Sequence, residues 1–224
     1  MSLERSEEAF EVFIEEFGKP TFKEKVPDKS IQKYNKILPD QLLHYWKTEG
    51  WNSYANGLFW IVNPEDYEGL VELWLEDTHY PKIDKYHCIA RTAFGVLYVW
   101  GEENNQWFTI SCPTNTIVAF DKKLLKVNKN PDSSIRSFFA SSSPDKKDLK
   151  DLKNKLLTPQ CFEKLGHLKP NEVYGFAPAL VAGGSPVAGN VEKEDIFIHL
   201  SILREMASPS LPYGEVDIDA LMKE

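Results

Sequence analysis

The residues of this 224-residue chain best suited to chemistry are a glycine-rich stretch, GFAPALVAGGSPVAGN at 175–190, five histidines and three cysteines. A glycine-rich turn cradles a phosphate when its amides converge and a lysine supplies the counter-charge. Gly184 to Gly189 has the glycine spacing of a Walker loop, but Asn190 stands where the lysine belongs and no serine follows it for magnesium. The dinucleotide pattern GxGxxG also fails, because Gly183 and Gly184 are adjacent. The EKED that follows Asn190 carries charge that repels phosphate. The stretch is expected to be irregular backbone, packed by Phe176, Leu180 and Val181 and shaped by its glycines.

His79, His87 and Cys88 come nearest to a metal set, yet no completing ligand follows at a recognisable spacing. For nucleophilic catalysis, Cys161 and His167 are six apart, which misses the shared face that three- or four-residue spacing gives on a helix. Cys112, before Pro113, has a route to His87 across a sheet, with no orienting group or oxyanion donor in view. HExxH, DxDxDG and GxSxG are absent. The carboxylate pairs Glu65–Asp66, Glu76–Asp77 and Asp217–Asp219 lie in runs that read as solvated surface, not as a cleft with contrasting environments. No catalytic residue, metal ligand or cofactor is expected, and the chain reads as a non-enzyme.

The composition points the same way. A hydrophobic share of 42% with 27% charged residues is that of a folded chain with a substantial core. Three scattered cysteines make neither a disulfide framework nor a thiolate zinc site. The net charge of -8 opposes nucleic-acid binding and suits a cationic protein partner. There is no apolar run long enough to span a bilayer and no secretory core after MSLERSEEAFEVF, so a cytoplasmic protein with no membrane contact is expected.

The elements follow from periodicity. Phe10, Phe13, Ile14 and Phe17 fall on one face of a helix that Gly18 stops. A short helix or turn is expected at 28–34, and LPDQLLHYWKTEGW adds a helix with Leu42, Leu43 and Trp46 buried. GLFWIVN is a strand. Pro64 then opens a helix with Tyr67, Leu70, Val71 and Trp74 inward and Glu65, Glu68, Glu72 and Glu76 outward. Four strands are expected at 86–92, 95–100, 106–111 and 116–120, split by turn residues into an antiparallel meander. After the polar link DKKLLKVNKNPDS come three helical segments, SIRSFFA, DKKDLKDLKNKL and PQCFEKLG. KEDIFIHLSILREMA closes the pattern; its alternation also fits a strand, but its length favours a helix with Ile196, Leu200, Leu203 and Met206 inward. The fold class is α+β: N-terminal helices with an antiparallel meander over 1–125, then a mostly helical region with a glycine-rich loop over 131–224.

The motifs FIEEFG, LPDQLLHYWKTEGW, GLFWIVNPEDY and FGVLYVWG, followed by EVYGFAPALVAGG and DIFIHLSILREM, occur in this order over nearly the whole chain. In that order the chain resembles bacterial type VI secretion immunity proteins of the Tdi1 kind, a GAD-like domain followed by a DUF1851 domain. The resemblance implies a cytoplasmic protein that binds and neutralises a cognate toxin, typically a DNase, without cofactor or turnover. An acidic chain complements the basic face of such a nuclease. The outward glutamates Glu65, Glu68, Glu72 and Glu76, beside the loop aromatics Trp51 and Tyr54, are the candidate contacts. The polar tail of the glycine loop, with Ser185, Pro186 and Asn190, departs from the family pattern and is the candidate specificity loop. A small-ligand or nucleotide-binding regulatory module using that loop is the alternative.

Overall fold

In the strand VLYVWG, Leu97 and Val99 point into one hydrophobic core and Tyr98 and Trp100 into another, as the two-residue period of a strand dictates. That strand is therefore covered on both faces, and the architecture grows from this. The computed structural model describes residues 3–214, with side chains from Glu7 onward; the Asp217–Asp219 pair lies outside the described residues.

Six strands run in sequence order, each antiparallel to the next: β1 (Ser53–Tyr54), β2 (Phe59–Ile61), β3 (Tyr86–Thr92), β4 (Val96–Gly101), β5 (Trp107–Ser111) and β6 (Thr116–Val118). The expected meander is present. The β3–β4 register shifts between Cys88 and Ala90. This bulge inverts the alternation, so Cys88 shares a core with Tyr86 while Ala90 joins Ile89 in the opposite one.

One face of the sheet is closed by α1 (Leu3–Phe17), α2 (Asp28–Tyr34), α3 (Asp40–Thr48) and α6 (Pro131–Ala140). This core is built from rings: Phe13 meets Phe59 at 5.4 Å, Tyr54 at 5.0 Å and Phe139 at 5.3 Å between centroids. The other face carries α4 (Pro64–Leu75), α8 (Leu157–Leu165), α9 (Ile196–Met206) and a hairpin of β7 (Glu172–Phe176) with β8 (Val191–Asp195). The amide of Tyr174 donates to Ala93 O at 2.8 Å, tying the hairpin to the sheet. Because α6 packs on one face and α8 and α9 on the other, each core draws residues from both sides of the polar link at 125–131.

The expected helix at 64–77 forms as α4, and that of KEDIFIHLSILREMA forms only from Ile196 onward, its KED belonging to β8 and Asp195 capping α9 through bonds from Phe197 N and Ile198 N. One expected helix largely fails to form. The charged run DKKDLKDLKNKL is helical only in α7 (Pro144–Lys147), after the four-residue α5 (Asp121–Leu124). Its aspartates bond elsewhere: Asp148 accepts from Thr158 N at 2.9 Å and Thr158 Oγ1 at 2.8 Å, and Asp151 accepts from the amides of Lys153 and Lys155. Such bonds offer the backbone an alternative to the helix. The hairpin was not foreseen either, since VEKED lacks the apolar alternation that marks a strand.

The α7 segment is pinned through Lys147. Its ammonium lies 4.0 Å from the Tyr98 ring centroid, 4.6 Å from that of Phe138 and 6.0 Å from that of Phe59. Burial, helped by the like charge of Lys146, pushes its pKa down to about 7, while the ring faces favour the ammonium.

Candidate functional site

The acidic helix forms as its sequence demands. Pro64 opens α4, Asn63 Oδ1 accepts from Glu65 N at 3.3 Å, and Glu65 and Asp66 occupy the dipole-favoured first turn. Tyr67, Leu70, Val71 and Trp74 are buried, which turns Glu65, Glu72 and Glu76 to solvent and leaves Glu68 half-buried. The four are not equivalent. Lys33 on α2 donates to Glu65 Oε1 at 2.7 Å and lies 3.8 Å from Glu68, so the first half of the stripe is partly neutralised. Donating this hydrogen bond to Glu65 raises the Lys33 pKa. Glu72 and Glu76 have no ion pair among the described residues.

The two aromatics expected beside this stripe as exposed loop residues are core residues instead. Trp51 is 6% exposed and Tyr54 is 0% exposed. The segment before α2 pairs with the chain here: Trp51 N donates to Glu24 O at 2.9 Å, and Ser53 N donates to Phe22 O at 3.1 Å. Trp51 packs edge-on against Trp46 at 5.5 Å, and Tyr54 against Phe13. Neither ring is presented to a partner.

The glycine stretch links β7 to β8 and bonds to itself. The amides of Ala182 and Gly184 both donate to Ala179 O, Gly183 N donates to Leu180 O, Asn190 N to Val187 O, and Ala177 N to Asn190 O. The Ala177–Pro178 peptide is cis. A Cβ on Gly184 would collide with the carbonyl oxygen of Pro178, so close backbone approach explains that glycine. The ion that the loop does hold is a cation: Lys164 Nζ donates to the carbonyls of Ala188, Gly189 and Val191 at 3.2, 3.0 and 3.1 Å. A phosphate cradle needs free convergent amides; here the amides of Gly183, Gly184 and Asn190 are bonded within the loop, and it is carbonyls that converge, on Lys164. Ser185 is exposed, with Pro186 and Asn190 half-buried beside it, and Asn190 Nδ2 donates to Ser185 O at 3.4 Å.

The candidate nucleophiles and ligands are not brought together. Burial pushes the Cys88 and Cys161 thiols up to about 12 and Cys112 well above its ordinary value, so all three are protonated. His87 Nε2 lies 3.0 Å from Glu102 Oε2, not against Cys112. His79 Nε2 lies 3.0 Å from the buried Asp121 carboxylate. A His–Asp pair without a nucleophile on its other nitrogen performs no acyl transfer. Among the described residues no three His, Cys, Asp or Glu side chains converge as a metal site. No helix among them is long and apolar enough to cross a membrane.

Two family models account for most of this framework. Residues 8–114 match the GAD-like domain, and residues 132–207 match the C-terminal domain of the type VI secretion immunity protein Tdi1. The chain belongs to the Tdi1-type immunity family. The acidic helix lies in its GAD-like region, and the glycine loop and α9 lie in its Tdi1-type region. Among solved structures, Atu4351 from Agrobacterium tumefaciens superposes with a TM-score of 0.77 over 90% of this chain and 91% of that one, at 21% identity. That likeness speaks to the fold. Among curated proteins no match is found.

Proposed function

We propose that this chain neutralises a cognate toxin by binding it, in the cytoplasm, without turnover. The order of the two matched regions along one chain carries the reading. Protonated thiols and the lack of a metal cluster among the described residues are consistent with inhibition by occupancy.

The partner is a basic nuclease, in keeping with the net charge of -8. On α4, Glu72 and Glu76 supply the free negative charge, and Glu65 and Glu68 join them only by releasing Lys33. The surface tail Ser185, Pro186 and Asn190 tunes which toxin is accepted. The alternative, a nucleotide-binding module at the glycine loop, loses support because the loop turns converging carbonyls, not amides, toward the ion it holds, the Lys164 ammonium.

The test uses the toxin encoded beside this gene. Excess of this protein abolishes its nuclease activity in a plasmid-cleavage assay; full activity at saturating excess refutes the proposal.

A further inference from the structure

Helix α9 is apolar on two sides. Ile196, Leu200 and Leu203 are buried at 0%, 0% and 3% exposure, whereas Ile198, Ile202 and Met206 are 64%, 49% and 50% exposed. The exposed three fall four residues apart, so they stack on one face over three turns. Met206, expected on the buried stripe, belongs to this outer one. An apolar stripe left in water on a helix that already has a full buried face marks an interaction surface.

Its surroundings specify the occupant. Alongside the stripe, α9 carries the exposed Glu205, and β8, which leads into α9, carries Glu192 and Glu194. The one Lys or Arg of α9, Arg204, is occupied, donating to Asp77 Oδ2 at 2.8 Å. The stripe is thus an aliphatic ridge with carboxylates beside it and no free cation on its own helix.

The ridge lies on the side of α9 turned away from α4. α9 packs beside α4 on the same face of the sheet: Tyr67 meets Phe197 at 5.2 Å, Trp74 Nε1 donates to Leu200 O at 3.1 Å, and Asp77 holds Arg204. Phe197 and Arg204 thus face α4, which leaves Ile198, Ile202 and Met206 on the outer side of α9.

We infer that this outer face of α9 is the toxin-docking face, with the Ile198–Ile202–Met206 ridge seated in an apolar groove rimmed by basic residues on the toxin. The inference rests on the proposed immunity function and adds the contact that holds the complex. Long-range charge on α4 speeds encounter, while desolvated aliphatic anchors at helical spacing slow dissociation. A second copy of this chain fits less well, because two such faces would bring Glu205 and Glu194 against their own counterparts.

The experiment measures binding of the purified neighbouring toxin to the wild type, Ile202→Glu and Ile198→Ser by surface plasmon resonance, with light scattering on each protein alone. Both residues are exposed, so the variants are expected to keep the wild-type thermal midpoint. Ile202→Glu is expected to raise the dissociation rate at least about tenfold, equivalent to about 1.4 kcal/mol. Wild-type kinetics in both variants overturn the inference and leave the immunity function standing. A wild-type dimer that Ile202→Glu makes monomeric, with toxin affinity unchanged, assigns the face to self-association and also overturns it. No binding by the wild type removes the immunity function and the inference together.

Discussion

Replacing Lys147 by methionine is expected to stabilise the protein below neutral pH and to matter less in alkali. The ammonium sits over Tyr98, Phe138 and Phe59 and makes no hydrogen bond or ion pair among the described residues. Its pKa falls from 10.5 in the open chain to about 7 in the fold, so between these values the unfolded state binds the extra proton. Stability therefore rises with pH through that window and is lowest, and flat, below it. At 1.36 kcal/mol per pH unit the gain from about pH 6 to about pH 9 is on the order of 2–3 kcal/mol. The ring faces favour the charged form by about 0.5–2 kcal/mol, which leaves on the order of 1–2 kcal/mol. Methionine fills the same space without a charge and keeps a sulfur–ring contact. Urea unfolding of both proteins at the two pH values isolates the effect, because Asp148, raised to about 6 by burial, and His199, lowered by burial, contribute to each alike. Parallel pH profiles for wild type and Lys147→Met would show that Lys147 is not held out of water, and would refute the reasoning.

Reversing charge with Glu72→Lys and Glu76→Lys is expected to slow toxin association about 3- to 10-fold at low salt, an effect that fades as salt screens it; stopped-flow rates that ignore both charge and salt would remove α4 from the interface. Trp51→Ala is expected to cost about 3–5 kcal/mol of stability as a core truncation; an unchanged urea midpoint with lost toxin binding would return Trp51 to the surface. In the native protein all three thiols are expected to resist Ellman's reagent at about pH 8 and to react together once unfolded; one rapidly reacting native thiol contradicts their burial. Gly184→Ala is expected to cost about 1–3 kcal/mol, since the new methyl meets backbone that has to move; a thermal midpoint equal to wild type would show that the loop relaxes freely.

Periodicity made the sheet legible because aromatic and branched residues crowd between turn residues, and the expected strand at 86–92 coincides with β3. Periodicity could not reveal what covers a turn. Gly50 marks the turn before Trp51, but the strap that pairs with Trp51 and Ser53 comes from Phe22 and Glu24, too short and too polar to announce itself, and Tyr54 is covered by Phe10 and Phe13 from the distant α1. The run after α7 misled for a different reason: its residues favour a helix individually, while Asp148 and Asp151 find better partners in Thr158 and in nearby lysine amides.

Helix α9 joins these failures to function. IFIHLSILREM fits both a strand and a helix because hydrophobic residues occupy positions a single buried stripe does not need. An amphipathic helix with one buried face would carry polar residues at 198 and 202, at no cost to the core. Isoleucine at both positions adds nothing to folding and exposes β-branched apolar surface beside acidic residues that keep the chain soluble. Local sequence logic breaks here without a structural gain, and such breaks are expected where a surface serves something other than the fold.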